Sequence, residues 1–208
     1  MFMEDTIICS ICLFILLYII YIYFLKDSNR VKVTGYSGKD YYIRKRPEGF
    51  TNSSQNDIIN RLDEIILRIN KLCDALIRDN YPDRERAERT KQRWDNIVIK
   101  ETYKDEESVA FVINKGDEMS ICLTNKETGD LEDINTTMFV VLHEVAHLMS
   151  VNWGHDDEFW TNFKLILRKA QEINIYNYTN YNNTPEEYCG ISIYSNPCMT
   201  QACAVPST

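Results

Sequence analysis

The sequence predicts an α+β domain behind an N-terminal transmembrane helix. Three observations lead there. Ile7 to Leu25 is almost wholly apolar. Between residues 55 and 175, apolar residues recur at helical steps in three long stretches. Three short β-branched runs, separated by turn residues, lie between the first and second of these.

In chain order, the run Ile7–Leu25 comes first. Its 19 residues span about 28 Å as a helix, close to the hydrocarbon thickness of a bilayer. Glu4 and Asp5 precede it, and bulky Tyr, Phe and Leu end it, which disfavours a cleaved signal peptide. Residues 1–29 are therefore predicted to be an anchor that partners with a membrane through residues 7–25, with Tyr18, Tyr21 and Tyr23 toward one interface. Seven Lys and Arg residues follow the run before residue 50, and none precedes it. That bias predicts a single-pass protein with its N-terminus outside and its main domain in the cytosol.

Residues 30–54 read as a polar tether ending in Pro47, Gly49 and a Thr-Asn-Ser-Ser run. From Gln55, the spacing of Ile58, Leu62, Ile65, Ile66, Ile69, Leu72, Cys73 and Leu76 predicts a long amphipathic helix, stopped at Tyr81-Pro82. Residues 83–95 carry mostly charge and predict a solvated helix. Strands are predicted at Ile97–Glu101, Ser108–Asn114 and Glu118–Thr124, the last as an edge able to receive an extended peptide. A helix capped by Asn135 or Thr136 follows, and Asn152-Trp153-Gly154 ends it. Another begins after Asp156 or Asp157. Tyr188–Tyr194 suggests a last strand, and 198–208 a disordered tail.

The residues outside the first 50 hold 16 basic and 26 acidic side chains, a net of −10. Such a domain is poorly suited to phosphate backbones, so no direct nucleic-acid binding is expected. Of the seven cysteines, five lie beyond the apolar run. An odd number without framework spacing predicts unpaired thiols and a reducing compartment. Cys198 with Cys203 is the one pairing the spacing suggests. Four N-x-S/T triplets, at Asn52, Asn135, Asn177 and Asn182, point the other way.

The chemistry concentrates in one place. All three histidines lie between residues 143 and 155. The helix predicted over that stretch is apolar nearly all round except for His143, Glu144 and His147. Residues i and i+4 share a helix face, so two imidazoles there can chelate one ion, with the intervening glutamate placed to reach a water. A buried helix that carried two histidines for packing would explain neither Glu144 nor His155.

The pattern His143-Glu144-Val145-Ala146-His147, seven residues, His155, then Glu158-Phe159-Trp160 resembles the zincin metallopeptidases, especially the WLM and SprT-like small zincins. It is closer still to membrane-tethered WLM-like proteins of large nucleocytoplasmic DNA viruses. Further marks are Val112–Gly116, Asn135–Phe139, Gly154-His155 and Glu187–Gly190, so the resemblance covers about 55–197. It implies a zincin-like fold, with a small mixed sheet packed on the active-site helix, and a protein or peptide substrate. It also implies Zn2+ held by His143, His147 and His155, with Glu144 as general base. The seven-residue spacer and the lack of an assignable Met-turn separate the chain from metzincins. They leave Asp156, Asp157 or Glu158 as alternatives to His155. Tyr188 is the candidate oxyanion stabiliser. A zinc-dependent endopeptidase is the expected function. A catalytically silent zinc-binding protein of a viral membrane and a DNA–protein-crosslink protease are the alternatives.

Overall fold

Helices and strands follow the apolar periodicities closely. The structure is a computed structural model and describes residues 8, 10–21, 29–46, 53–103 and 108–198. Residues 10–21 form a helix, α1, whose large apolar side chains are exposed, Phe14 at 72%. Among the described residues no helix is long and apolar enough to cross a membrane. Positions 7, 9 and 22–25 of the predicted span lie outside the described residues.

The polar segment predicted as a tether joins the fold instead. β1 (Arg30–Thr34) and β2 (Asp40–Arg44) form an antiparallel hairpin, and β2 adds in parallel to β3 (Val98–Glu101). Two buried carboxylates hold this hairpin. Asp63 accepts the Tyr36 and Ser37 amides and the Tyr41 hydroxyl at 2.8–3.0 Å. Gly35 permits that approach, since a Cβ there would fall 2.3 Å from Asp63 Oδ1. Glu101, with no exposed surface, accepts hydrogen bonds from the Arg44 amide and guanidinium and from Arg46. Burial pushes the Glu101 carboxyl up, but Arg46 and Arg44 outweigh it and hold it below its ordinary value. A buried charge needs such partners, and the supposed tether supplies them.

α2 (Gln55–Arg78) starts at a capping box between Ser54 and Asp57 and buries the predicted stripe. α3 (Arg84–Asn96) is capped by Asp83 and buries Ala87, Thr90 and Trp94, so it is packed rather than fully solvated. β3 then pairs in parallel with β5 (Glu118–Ile121), and β5 pairs antiparallel with β4 (Ala110–Ile113). The mixed sheet has the order β1-β2-β3-β5-β4. The edges are thus β1 and, on the side of residues 108–124, β4. β5 is central, and Ser120 on its supposed outer face is buried. Strand order is a long-range property that the local pattern of residues 118–124 does not carry.

α4 (Ile134–Met149) carries the histidine pair and lies against β4, α3 and α5 (Asp157–Glu172). Asp133, not Asn135 or Thr136, caps α4 and accepts the Thr136 amide at 2.8 Å. Asn135 bonds the Asn177 backbone in both directions. The chain ends in a two-stranded hairpin, β6 (Glu186–Tyr188) and β7 (Ile191–Ile193). The expectation of unpaired thiols fails, because Cys122 and Cys189 form a disulfide. Cys198 is also disulfide-bonded and is buried, so it belongs to the domain rather than the tail. Positions 199–208 lie outside the described residues.

Candidate metal centre

The centre is built where α4 ends and α5 begins. α4 is apolar almost all round, which buries it and commits His143, Glu144 and His147 to the groove beside β4. Its C-terminus is capped by Ser150, whose amide and hydroxyl both donate to the Ala146 carbonyl. Basic side chains of α3 reach the last carbonyls. Arg93 donates to the Leu148 and Ser150 carbonyls at 2.7 and 2.8 Å, and Arg89 to that of Met149 at 2.9 Å. The charge of α3, taken from the sequence as a solvated face, therefore serves the end of the helix that carries the histidine pair.

The loop after α4 is clamped from two sides. Lys115 Nζ donates to the Val151 and Asn152 carbonyls and stands 4.9 Å from the Trp153 ring centroid. The Glu158 carboxylate accepts the Val151 and Asn152 amides at 2.8 and 2.9 Å. Gly154 then turns the chain with φ +85°, a conformation costly for a residue with a side chain. These contacts return His155 to the histidine pair. His155 Nε2 lies 3.0 Å from His143 Nε2 and 3.2 Å from His147 Nε2. Asp156 is engaged in capping α5, and Glu158 in holding the loop. Of the candidates for a third ligand, His155 is the one aimed at the pair.

Phe159 supports all three rings. Its centroid lies 4.8 Å from His143, 4.3 Å from His147 and 4.6 Å from His155, and the side chain is fully buried. Its place one turn into an amphipathic helix marked it only as core. Burial, then His147 and His155, lowers His143 to about 3, and burial, His155 and Lys115 lower His147 to about 4. Both imidazoles are thus neutral near pH 7, as metal ligands must be. Zn–N bonds of about 2.0–2.1 Å in tetrahedral array set ligand nitrogens roughly 3.3–3.4 Å apart. The observed separations, and three borderline-soft nitrogen donors, fit a divalent transition metal.

Glu144 lines the same cleft but is not among the clustered donor atoms. It is 5% exposed, and burial alone pushes its carboxyl up to about 8. The cleft has a volume near 240 Å³ and is bordered by Ala110, Phe111 and Val112 of β4 and by Lys115 and Trp153. Tyr188 is elsewhere. It is fully buried, its hydroxyl donates to the Cys122 carbonyl at 2.5 Å, and it lines no part of the cleft. A group so engaged in the core does not serve as the oxyanion stabiliser.

No family model matches the chain. It is similar to the uncharacterized protein R325 of Acanthamoeba polyphaga mimivirus, at 28% identity over 199 residues, covering 92% of this chain and 97% of that protein. It is also similar to the uncharacterized protein 136R of Invertebrate iridescent virus 6, at 28% over 180 residues, covering 85% and 93%. Among solved structures it is similar to Wss1 from Saccharomyces cerevisiae, with a TM-score of 0.44 and 17% identity over 58% of this chain and 82% of that one. A Wss1 mutant from the same yeast gives 0.46 and 15% over 64% and 88%.

Proposed function

We propose that this protein is a membrane-anchored, zinc-dependent endopeptidase. The observation that carries the reading is the convergence of three imidazole Nε2 atoms beside a buried carboxyl in a groove bordered by an edge strand. His143, His147 and His155 would hold the zinc. When bound, the metal supplies Lewis acidity toward a peptide carbonyl and toward water. Glu144 supplies the proton transfer. With a cation held by the neighbouring histidines the carboxylate form is favoured, and Glu144 would accept a proton from the attacking water and return it to the leaving amine. β4 pairs with β5 on one side only and leaves its other backbone edge toward the cleft, where an extended peptide adds as a strand. The anchor is supported by the apolar run Ile7–Leu25 and by the exposed apolar surface of residues 10–21.

The test pairs metal analysis with proteolysis of an unfolded protein. Wild type is expected to carry about one zinc per chain and to cleave. Glu144→Gln is expected to keep the zinc and lose cleavage by at least ~100-fold, the scale of general-base catalysis. A zinc-loaded wild type inert toward every unfolded substrate would replace this reading with that of a structural zinc protein.

A further inference from the structure

The groove does not end at the histidines. A second cavity, of about 220 Å³, opens on the other side of His143 and Glu144. Val109, Phe139, Val140, Ile191 and Ile193 wall it. The two cavities share Ala110, His143 and Glu144, so the Glu144 carboxyl stands at their junction. Val109, directly before β4, lines the second cavity and Val112 the first, so a chain laid along that strand runs past both. At this size the cavity falls below the ~300–1,000 Å³ of small-molecule sites, and it suits one side chain. Its largely apolar walls reward an apolar group, and a carboxylate there loses hydration and meets the Glu144 carboxyl.

The wall contributed by β7 is held in place. The hairpin turns at Cys189-Gly190, both with positive φ (52° and 86°). Cys189 is bonded through sulfur to Cys122, directly after β5, and its amide donates to Glu132 at 2.8 Å. Tyr188 adds the hydrogen bond to the Cys122 carbonyl. Three tethers thus fix an eight-residue hairpin to the sheet beside the cleft, and nothing in the proton transfer requires them.

We propose that this hairpin is a specificity element, in which Ile191 and Ile193 complete a subsite for one apolar substrate side chain beside the cut bond. The proposal rests on the peptidase reading and names its substrate preference. The first arm of the test maps cleavage sites by mass spectrometry, using the full-length zinc-loaded chain on an unfolded protein. Wild type is expected to enrich Leu, Ile, Met or Phe over Asp at one position flanking the cut by roughly tenfold or more, the scale of an apolar pocket. Ile193→Ala should shift that position toward larger rings, and Ile193→Val should leave it near wild type. Ile191→Lys, at a residue 41% exposed and so tolerant of change, should admit Asp and Glu. A flat wild-type profile, or one unchanged in both Ile193→Ala and Ile191→Lys, overturns the proposal. The second arm needs no cleavage. N-acetyl-leucine amide is titrated into wild type with labelled isoleucine methyl groups, with N-acetyl-aspartate amide as control. If wild type cleaves nothing but the leucine probe alone moves the Ile191 and Ile193 signals, the subsite stands and the peptidase reading falls. If the leucine probe moves neither, the subsite falls.

Discussion

Replacing Glu144 with glutamine should stabilise the metal-free protein, by an amount that grows with pH. The Glu144 carboxyl titrates at about 8 in the fold against an ordinary value of 4.5. A group whose folded pKa is raised contributes stability below its unfolded pKa and loses it as pH rises through the folded one. Here the loss begins near pH 4.5 and is complete above pH 8. At pH 7 the 2.5-unit interval corresponds to about 3 kcal/mol, and above pH 8 the full interval gives about 5 kcal/mol. Glutamine keeps the shape of the protonated acid and does not titrate. His143 and His147 shift the opposite way and destabilise the fold on acidification below about 6.5, but they are common to both proteins and cancel in the difference. Any fixed cost of burying the amide cancels between pH values. The assay is urea unfolding of chelator-treated wild type and Glu144→Gln at pH 4.5, 7 and 8.5. The variant's relative stability should rise by about 3 kcal/mol between the first two. A gap that is constant with pH, or that shrinks as pH rises, would refute the assignment of Glu144 as a carboxyl held neutral by burial. Saturating zinc should narrow the gap, because a nearby cation favours the carboxylate.

Two further outcomes follow from the same geometry. His143→Ala or His147→Ala should abolish stoichiometric zinc and His155→Ala should weaken its binding, by elemental analysis after dialysis against a mild chelator; retention in all three would remove the site. Removing the Cys122–Cys189 bond by a double change to serine should cost about 4 kcal/mol in urea unfolding, from the loop entropy released by a 67-residue closure, and an effect below about 1 kcal/mol would argue that the bond does not form.

What the sequence disclosed, and what it withheld, divides along range of interaction. The stripe of α2 and the all-round apolarity of α4 are period signals, and both elements form where that period runs. His143, Glu144 and His147 are one turn of one helix, so their convergence is local, and His155 is brought in by a single loop. The hairpin β1–β2 was unreadable because its reason for docking is the buried carboxylate of Glu101, some 55–70 residues away, and polar strands look like a linker without that partner. Phe159 presents the same helix-core pattern whether or not it braces imidazoles. The assignment of Tyr188 to the cleft failed for a related reason. Only the pairing of Cys122 with Cys189, 67 residues apart, shows that its hydroxyl is drawn into the core.

That disulfide bears directly on topology, the last prediction. Lys and Arg residues follow Ile7–Leu25 and none precedes it, which supports a cytosolic domain. Disulfides favour oxidising compartments, which supports the opposite face. Reduction of a disulfide requires a thiolate to reach one sulfur, and Cys122 and Cys189 are 2% and 1% exposed. Once formed, a bond so enclosed resists reduction, so its presence does not rule out a reducing compartment, and from the charge bias we expect the domain on the cytosolic face. Protease protection of sealed membranes reads this directly, with digestion from the cytosolic side expected. Glycosylation gives a second reading whose negative result is meaningful. Asn177 and Asn182 lie exposed in N-x-T triplets and would accept glycans in a lumen. Asn135 would not, since its Nδ2 donates to Asn177 and Thr179. A protected domain bearing glycans on Asn177 or Asn182 would reverse the orientation and place the substrate in the lumen or outside the cell. The histidine cluster and Glu144 would keep the same chemistry there, because their geometry depends on α4, the clamped loop and Phe159 and not on which face of the membrane they occupy.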